Sequence, residues 1–181
     1  YSGSGIYRDV KLSVTDKVHV AKYGTTITSP KLEEQQNGAV DTLVKSRIVN
    51  QDDQAHSIYA EYEIVDQNGQ VVSEKVRSEV QSVLAGQEIN LSHTLHVEKP
   101  TLWDVKTNNP ALYTLYTRVY RDSQLVDVQK ERFGYRYLNW TPEGGFFLNG
   151  AATKFHGVSL HHDHGALGAE ENYKAEYRRL K

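Results

Sequence analysis

The sequence of 181 residues contains no cysteine and no methionine. Without cysteine the chain has neither a disulfide framework nor a thiolate metal site, although this leaves the cellular compartment open. Without methionine it does not start at a natural start codon, and we expect Tyr1 to follow a cut inside a longer protein. Apolar runs approaching the roughly 18 residues of a membrane helix are missing, as is any segment composed like a signal peptide.

A large excess of charge of one sign is also lacking. The formal net charge is -2, which gives no electrostatic reason to expect binding to nucleic acid or to an anionic membrane. Apolar residues make up 38% and charged residues 24%, a balance typical of folded domains rather than of disordered chains. The length is enough for one good core and part of a second.

The body of the chain alternates between apolar and polar residues, as half-buried strands do. Strands are predicted over residues 6–14, 39–49, 58–64, 71–84, 89–97, 112–121 and 125–133. Asn68-Gly69 predicts a type I′ turn, and no helical period is found between Leu32 and Arg136. Short antiparallel strands at this spacing predict an immunoglobulin-like β-sandwich. An all-β sandwich with a different topology is the alternative.

Two prolines, Pro100 and Pro110, bracket a loop after the predicted strand 89–97. Because proline fixes φ and favours an extended residue before it, we expect the loop to enter and leave in extended conformation. Leu102, Trp103 and Leu112 would then cap the open end of the sandwich. A sugar-stacking platform is the functional alternative for Trp103, although aromatic side chains in a sandwich more often fill the core or an interdomain seam.

The tail combines a strand, a polar loop and a helix. Residues 155–158 predict a short buried strand, residues 161–164 carry three histidines and an aspartate, and residues 172–181 predict a helix. Such a unit places functional groups at the C-terminal edge of a strand in a TIM barrel. A barrel needs eight such units and only one is present, so we expect the chain to contain the beginning of a catalytic domain.

Several motifs resemble those of glycoside hydrolase family 2, in the family's order. Gly3-Ser4-Gly5-Ile6-Tyr7-Arg8-Asp9-Val10 resembles the end of its N-terminal jelly-roll domain. Pro100-Thr101-Leu102-Trp103 with Pro110-Ala111-Leu112-Tyr113 resembles a motif late in its immunoglobulin-like domain. Phe133-Gly134-Tyr135-Arg136 is similar to the Gly-Phe-Arg signature that closes that domain, with tyrosine for phenylalanine. Phe146-Phe147-Leu148-Asn149-Gly150 and Phe155-His156-Gly157-Val158-Ser159 resemble the approach to the first barrel strand.

The resemblance implies three segments. Residues 1–24 would be the end of the jelly roll and a linker, residues 25–137 the sandwich, and residues 138–181 the incomplete start of the barrel. The form Leu-His-His-Asp-His-Gly-Ala-Leu-Gly in the tail most resembles β-galactosidases of the family, including large bacterial cell-surface enzymes, whereas glucuronidases and mannosidases share the fold.

The family's chemistry is retaining hydrolysis by two glutamates about 5 Å apart. The resemblance places both glutamates beyond Lys181, so we expect no catalytic residue in this chain and no turnover from it alone. Glu170, Glu171 and Glu176 are interpreted as solvated surface carboxylates. The chain would position the catalytic barrel and supply one loop of the substrate pocket, for a β-galactoside substrate of the whole protein.

His161 matches the family's histidine just after the first barrel strand, which resembles a ligand of a sugar hydroxyl. A neutral imidazole both donates and accepts hydrogen bonds, as a hydroxyl does. Asp163 is a second, weaker candidate, since in an extended segment it points to the same side as His161. His162 and His164 would point the other way, where hydrogen bonds behind the pocket or to another domain are the plainer interpretation.

Neither a metal site nor a cofactor is expected in this chain. Four consecutive residues of a strand cannot converge on one ion, and structural zinc sites commonly include thiolates. The resemblance implies magnesium or sodium near the pocket of the whole protein, on carboxylates outside this segment. It also implies contacts with the jelly-roll and barrel domains and leaves room for a homo-oligomer seam. A self-contained binding or adhesion module is the rival class, because fold alone does not fix function.

Overall fold

The structure, a computed structural model, describes residues 5–6, 8–107, 110–160, 164, 166, 168–170 and 172–181. They fall into two compact units. The larger unit is Thr15–Thr153, and the smaller contains the described residues of Tyr1–Val14 and Lys154–Lys181. All strands of the described chain belong to the larger unit.

The larger unit is an antiparallel sandwich, as the sequence predicts. One sheet has the order β1 (Val18–Thr28), β2 (Ala39–Asn50), β6 (Glu88–Glu98). The other has the order β4 (Val76–Arg77), β3 (His56–Val65), β7 (Tyr113–Arg121), β8 (Gln124–Phe133), with β5 (Gln81–Val83) also paired to β3. The immunoglobulin-like fold class is therefore confirmed.

The core lies between the inner faces of these two sheets. Alternate residues of each central strand are buried, because successive side chains of a strand point to opposite faces. On β3 these are the predicted Ile58, Ala60, Tyr62 and Ile64, all fully buried. They meet matching residues of the other sheet, which include Val40, Val44, Ile48 and Leu95.

The edge strand β1 extends the sandwich toward the N-terminus, so the predicted boundary between residues 24 and 25 lies inside a strand. Its register with β2 shifts between Val20 and Thr25. Tyr23 has φ 54° at this shift, and a Cβ on Gly24 would lie 2.7 Å from the carbonyl oxygen of Ala21. The backbone N–H of Val20 donates to Oδ2 of Asp127 on β8 at 2.9 Å, which joins β1 to the opposite sheet.

The predicted return strand over residues 71–84 is wrong as a continuous element. Only β4 and β5 form there. Two serine hydroxyls replace backbone partners along β3: Ser73 Oγ accepts the N–H of Ile64 at 2.9 Å, and Ser78 Oγ accepts that of Ala60 at 3.0 Å. A side chain that bonds locally to the backbone competes with a regular ladder in this way.

The predicted type I′ turn at Asn68-Gly69 is also wrong. Of the two residues only Gly69 has a positive φ, at 80°. The turn is organised by Asp66, whose Oδ1 accepts the N–H groups of Asn68 at 2.8 Å and Gln70 at 2.9 Å. Positive φ at both central residues occurs instead in the β7–β8 hairpin, at Asp122 (48°) and Ser123 (69°). That hairpin forms where the sequence predicts it.

Two further predicted strands are absent. Residues 8–14 and 155–158 form no strand, and Phe155 and Val158 are 70% and 83% exposed. The physical reason is that neither segment has a neighbouring strand among the described residues, and a lone strand leaves its backbone groups unpaired.

Three smaller elements complete the secondary structure. A single helical turn, α1 (Leu32–Gln35), follows β1, where no helix is predicted. After β8 comes a small antiparallel sheet of β9 (Leu138–Thr141), β10 (Gly145–Leu148) and β11 (Ala151–Ala152). The predicted C-terminal helix is confirmed as α2 (Tyr173–Leu180). Within the described ranges, no helix has the length and apolar character needed to span a membrane.

An ionic cluster lies at the end of the sandwich where β1 begins. His56 places Nδ1 2.7 Å from Oδ2 of Asp122 and Nε2 3.1 Å from Oδ2 of Asp52. Asp52 also accepts from Nζ of Lys17 at 2.8 Å, and Arg121 pairs with Asp16 at 2.7 Å. The carboxylates of Asp122 and Asp52 raise the pKa of the His56 ring. Lys17 lowers the pKa of Asp52, and the N–H of Ser57 lowers that of Asp122.

We expect His56→Gln to destabilise the chain more at about pH 5.5 than at about pH 9. A raised pKa means that the folded state holds the proton more tightly. This contribution is therefore complete below the ordinary histidine value of 6.5 and is lost as the pH rises through the folded pKa. The two aspartates stabilise the folded state in the opposite direction of pH. Their contribution is complete above the ordinary aspartate pKa of 3.8 and is lost as the pH falls through the lowered pKa of the folded state. Urea unfolding at both pH values measures the difference.

The matched control is Asp122→Asn. With that carboxylate removed, His56→Gln should show a smaller difference between the two pH values. A destabilisation by His56→Gln that is equal at both pH values would contradict the role assigned to the cluster.

Candidate functional site

The sugar-binding residues predicted from the sequence, His161 and Asp163, lie outside the described residues, as does His162. Their role stays a prediction. The neighbouring His164 is described: its side chain is 4% exposed, and its Nε2 lies 3.0 Å from Oε1 of Glu176. No hydrogen bond forms across this approach, so it is a close contact between loop and helix. The backbone N–H of His164 donates to the carbonyl of Gly168 at 2.9 Å.

The helix α2 carries no pair of carboxylates suited to glycoside cleavage. Glu176 contacts both His164 and Arg179, the latter at 3.4 Å, so it is not the freely solvated carboxylate that the sequence predicts. Glu170 is exposed, and Glu171 lies outside the described residues. The side-chain oxygen of Asn172 caps the helix by accepting the N–H of Ala175 at 3.2 Å.

The same helix exposes an apolar face. Tyr173, Tyr177 and Leu180 are all largely exposed, and the two tyrosine rings stack with centroids 6.2 Å apart. The sequence predicts that these three residues share one face of the helix. In the described part of the chain, no three histidine, aspartate or glutamate side chains cluster as a metal site would require.

A pocket opens at the end of the sandwich opposite the His56 cluster. Its volume is about 740 Å³, and it is lined by residues that include Ile27, Pro30, Trp103, Leu112, Arg132 and Arg136. Trp103 and Leu112 come from the two proline-flanked motifs, and Leu102 packs against the core. The structure therefore places these three side chains at the end of the sandwich, as the sequence predicts.

Gly134 allows Trp103 to approach the end of β8. The N–H of Trp103 donates to the carbonyl of Tyr135 at 2.8 Å. A Cβ on Gly134 would lie 3.0 Å from Cβ of Trp103 and 3.3 Å from the carbonyl oxygen of Ala111. The guanidinium carbon of Arg136 lies over the indole, 5.0 Å from the ring centroid. This arrangement is a cation–π contact that covers one face of the indole ring.

Tyr135 links the pocket to the core. Its buried hydroxyl lies 2.8 Å from Oγ1 of Thr42 on the opposite sheet, and either oxygen can be the donor. The ring packs edge-on against Tyr113 and Phe133, with centroids 4.9 Å and 5.1 Å away. Burial raises the pKa of its hydroxyl, which therefore stays neutral. The family signature has phenylalanine at this position, and only tyrosine can make the hydrogen bond to Thr42.

The small sheet after β8 is tied to the same end of the sandwich through Asn149. Its Nδ2 donates to the carbonyl of Trp103 at 2.9 Å, and its Oδ1 accepts the N–H of Tyr137 at 3.1 Å. Asn149 and Gly150 both have positive φ, at 50° and 76°. No such role for Asn149 is predicted from the sequence. The dipeptide Asn-Gly, a common turn signal, could have pointed to it.

The fold and these motifs define the family. The chain belongs to glycosyl hydrolases family 2, whose sequence profile matches residues 18–136. That range begins at β1 and ends at Arg136, beside the pocket.

Individual relatives share the segment. Beta-galactosidase BoGH2A of Bacteroides ovatus is 39% identical over 181 residues, which is 100% of this chain and 20% of that protein. A Beta-glucuronidase of Bacteroides fragilis is 29% identical over 164 residues, 91% of this chain and 23% of that protein. The chain thus spans about a fifth of the length of these relatives.

Solved structures agree with this assignment. A glycosyl hydrolase family 2 member from Bacteroides cellulosilyticus superimposes with a TM-score of 0.86 at 31% identity, over 99% of this chain and 24% of that one. A Bacteroides uniformis beta-glucuronidase gives 0.83 at 23% identity, over 97% of this chain and 21% of that one. At the second identity the likeness concerns the fold alone.

We expect Tyr135→Phe to cost about 1–3 kcal/mol of unfolding free energy, because it leaves the buried Thr42 hydroxyl without a partner. The double variant Thr42→Val with Tyr135→Phe should cost less than the sum of the two single variants, since both polar groups are then gone. Urea denaturation measures all three. Strict additivity would show that the two hydroxyls do not interact.

We expect the amides of α2 to exchange with solvent at least about 100-fold faster than those around Ile58–Ile64 in the 181-residue chain. An eight-residue helix is marginal by itself, and its apolar face is exposed. Hydrogen exchange followed by mass spectrometry measures both regions in one experiment. Equal protection in α2 and β3 would contradict the expectation.

Proposed function

We propose that this chain is the central sandwich and the start of the catalytic barrel of a β-galactosidase that retains anomeric configuration. The observation that carries the proposal is the 39% identity over the whole chain with a protein named Beta-galactosidase. The relatives named beta-glucuronidase that cover most of the chain are 25% to 30% identical. Residues after the sandwich share in the 39% match, because it covers 100% of the chain.

The role proposed for the sandwich is to position the barrel. A two-sheet core in which alternate residues of each central strand are buried makes a firm support. Asn149 fixes the chain that leaves the sandwich to Trp103 and to Tyr137, which follows β8. The segment that follows β8 thus has a defined starting position relative to the sandwich.

The chemistry itself is assigned to the rest of the protein. Retaining hydrolysis needs two carboxylates about 5 Å apart, one as nucleophile and one as acid and base. Glu176, which contacts the histidine loop through His164, also pairs with Arg179. The 181-residue chain is therefore proposed to be inactive. In the complete enzyme, His161 is proposed to bind a sugar hydroxyl, with Asp163 as the second candidate for this role.

β-Glucuronidase activity is a second candidate for the complete protein. It is favoured by the number of relatives with that name, which come from Formosa agariphila, Bacteroides fragilis and Streptococcus agalactiae. The two candidates differ in one substrate group, a hydroxymethyl in the galactoside and a carboxylate in the glucuronide. The rival interpretation, a self-contained binding module, predicts neither activity.

The test compares the full-length protein with the 181-residue chain on nitrophenyl β-galactoside and nitrophenyl β-glucuronide. We expect the full-length protein to hydrolyse the galactoside and the chain to hydrolyse neither. His161→Ala in the full-length protein should lower kcat/KM about 10- to 100-fold or more, since a positioned hydrogen bond to the reacting sugar is lost. Lys130→Gln, on β8, serves as the control and should leave kcat/KM unchanged.

Three results would count against the proposal. Preferred hydrolysis of the glucuronide would replace β-galactosidase with β-glucuronidase. Turnover by the 181-residue chain above a vector control would show that catalytic groups lie within it. No hydrolysis of either substrate by the full-length protein would favour a binding module.

A further inference from the structure

The pocket at the end of the sandwich carries two arginines and no acid. Arg132 and Arg136 both line it, and its lining includes no aspartate or glutamate. Among the described residues, neither the Arg132 nor the Arg136 side chain has a hydrogen-bond or ion-pair partner, and the Arg136 guanidinium lies over the Trp103 ring. By contrast, Arg118 and Arg121 on the neighbouring strand each pair with a carboxylate. The positive charge of this pocket is thus left uncompensated.

The rest of the lining is suited to an inserted side chain. Ile27, Pro30, Leu112 and Trp103 supply apolar surface beside the two guanidinium groups. The volume of about 740 Å³ lies in the range of sites that accept a specific ligand or a few side chains. Burying the arginines on association without a partner would be costly, so a group that fills the pocket should bring hydrogen-bond acceptors, of which a carboxylate is the strongest.

A free sugar is a poorer fit than a protein loop. Sugars stack on an open aromatic face, and the guanidinium of Arg136 lies over the Trp103 ring. The carbonyl of Trp103 is also taken, by Asn149 of the segment that follows the sandwich. The pocket therefore lies at the end of the sandwich to which the onward chain is fixed.

We propose that this pocket docks a loop of the catalytic barrel, which inserts an aspartate or glutamate carboxylate against Arg132 and Arg136 and an apolar side chain beside Leu112. The inference rests on the proposed function, since it requires the barrel of a longer protein. Beyond the proposed function, the inference names the chemical groups of the docking loop and the residues of the sandwich that bind them. Arginine forks bind carboxylates with two parallel hydrogen bonds, so the contact fixes orientation as well as distance. The barrel is thereby held in one orientation on the sandwich.

The test is hydrogen exchange at residues 100–107 and 132–137, in the full-length protein and in the 181-residue chain. We expect these amides to exchange at least about tenfold more slowly in the full-length protein, because the loop covers them there. In the full-length protein, the double variant Arg132→Gln with Arg136→Gln should exchange these amides about tenfold or more faster than wild type, close to the rates of the 181-residue chain. The reason is that hydrogen bonds to charged groups are lost. Lys130→Gln removes one positive charge from the same strand outside the pocket and should change nothing.

The 181-residue chain controls for folding. Neither arginine has a carboxylate partner among its described residues, so the double variant should stay folded there and lose only the cation–π contact of Arg136 with Trp103. Equal exchange in the two wild-type proteins would overturn the docking proposal. So would full-length rates that the double variant leaves unchanged.

A small-molecule site is the competing outcome. Titration of the 181-residue chain with sodium glucuronate should show no binding. Saturable binding that the double variant abolishes would overturn the docking proposal in favour of an acidic-sugar site. Hydrolysis of nitrophenyl β-galactoside by the wild-type full-length protein separates the two proposals. If that activity is present and the arginine variants exchange like wild type, only the docking proposal fails.

Discussion

The hydrogen bond from the Trp103 N–H to the Tyr135 carbonyl, at 2.8 Å, is the contact on which one end of this sandwich depends. It favours a residue without a side chain at position 134, because a Cβ there would lie in tight contact with Trp103 and with the Ala111 carbonyl. With the loop held in this way, Tyr135 reaches across to Thr42 on the other sheet. The same loop gives Asn149 a carbonyl to bind, so a single backbone contact organises the sheet-to-sheet link, the pocket wall and the start of the next segment.

Alternation alone was enough to predict the strands whose two faces differ most. Strands β2, β3, β6, β7 and β8 form close to where the pattern indicates. The pattern failed where side chains replace backbone partners. The hydroxyls of Ser73 and Ser78 bond to β3, so residues 71–84 look like a strand in sequence and form two fragments in space. It failed also at residues 8–14 and 155–158, because burial of a strand depends on neighbours that periodicity does not reveal.

Some residues of the candidate site could be predicted from the sequence, and others could not. Trp103 and Leu112 could be placed at the end of the sandwich, since flanking prolines and large apolar side chains mark such a loop. Arg132 could not, because an arginine on the polar face of an edge strand usually serves solubility. What sets it apart is the lack of an ion-pair partner among the described residues, a property of the folded chain. His161 and Asp163 rest on resemblance to the family, and no spacing rule could assign their roles.

The bond between Val20 and Asp127 has a consequence for a domain built into a long polypeptide. β1 is an edge strand, and its free amides could pair with a strand of any nearby chain. The carboxylate of Asp127 occupies one of them from the facing sheet, and the register shift around Tyr23 and Gly24 turns the strand out of line just beyond it. A foreign strand would find neither a continuous row of donors nor a straight edge. Once β8 has folded, the sandwich can thus lie beside copies of itself with the start of its β1 edge blocked.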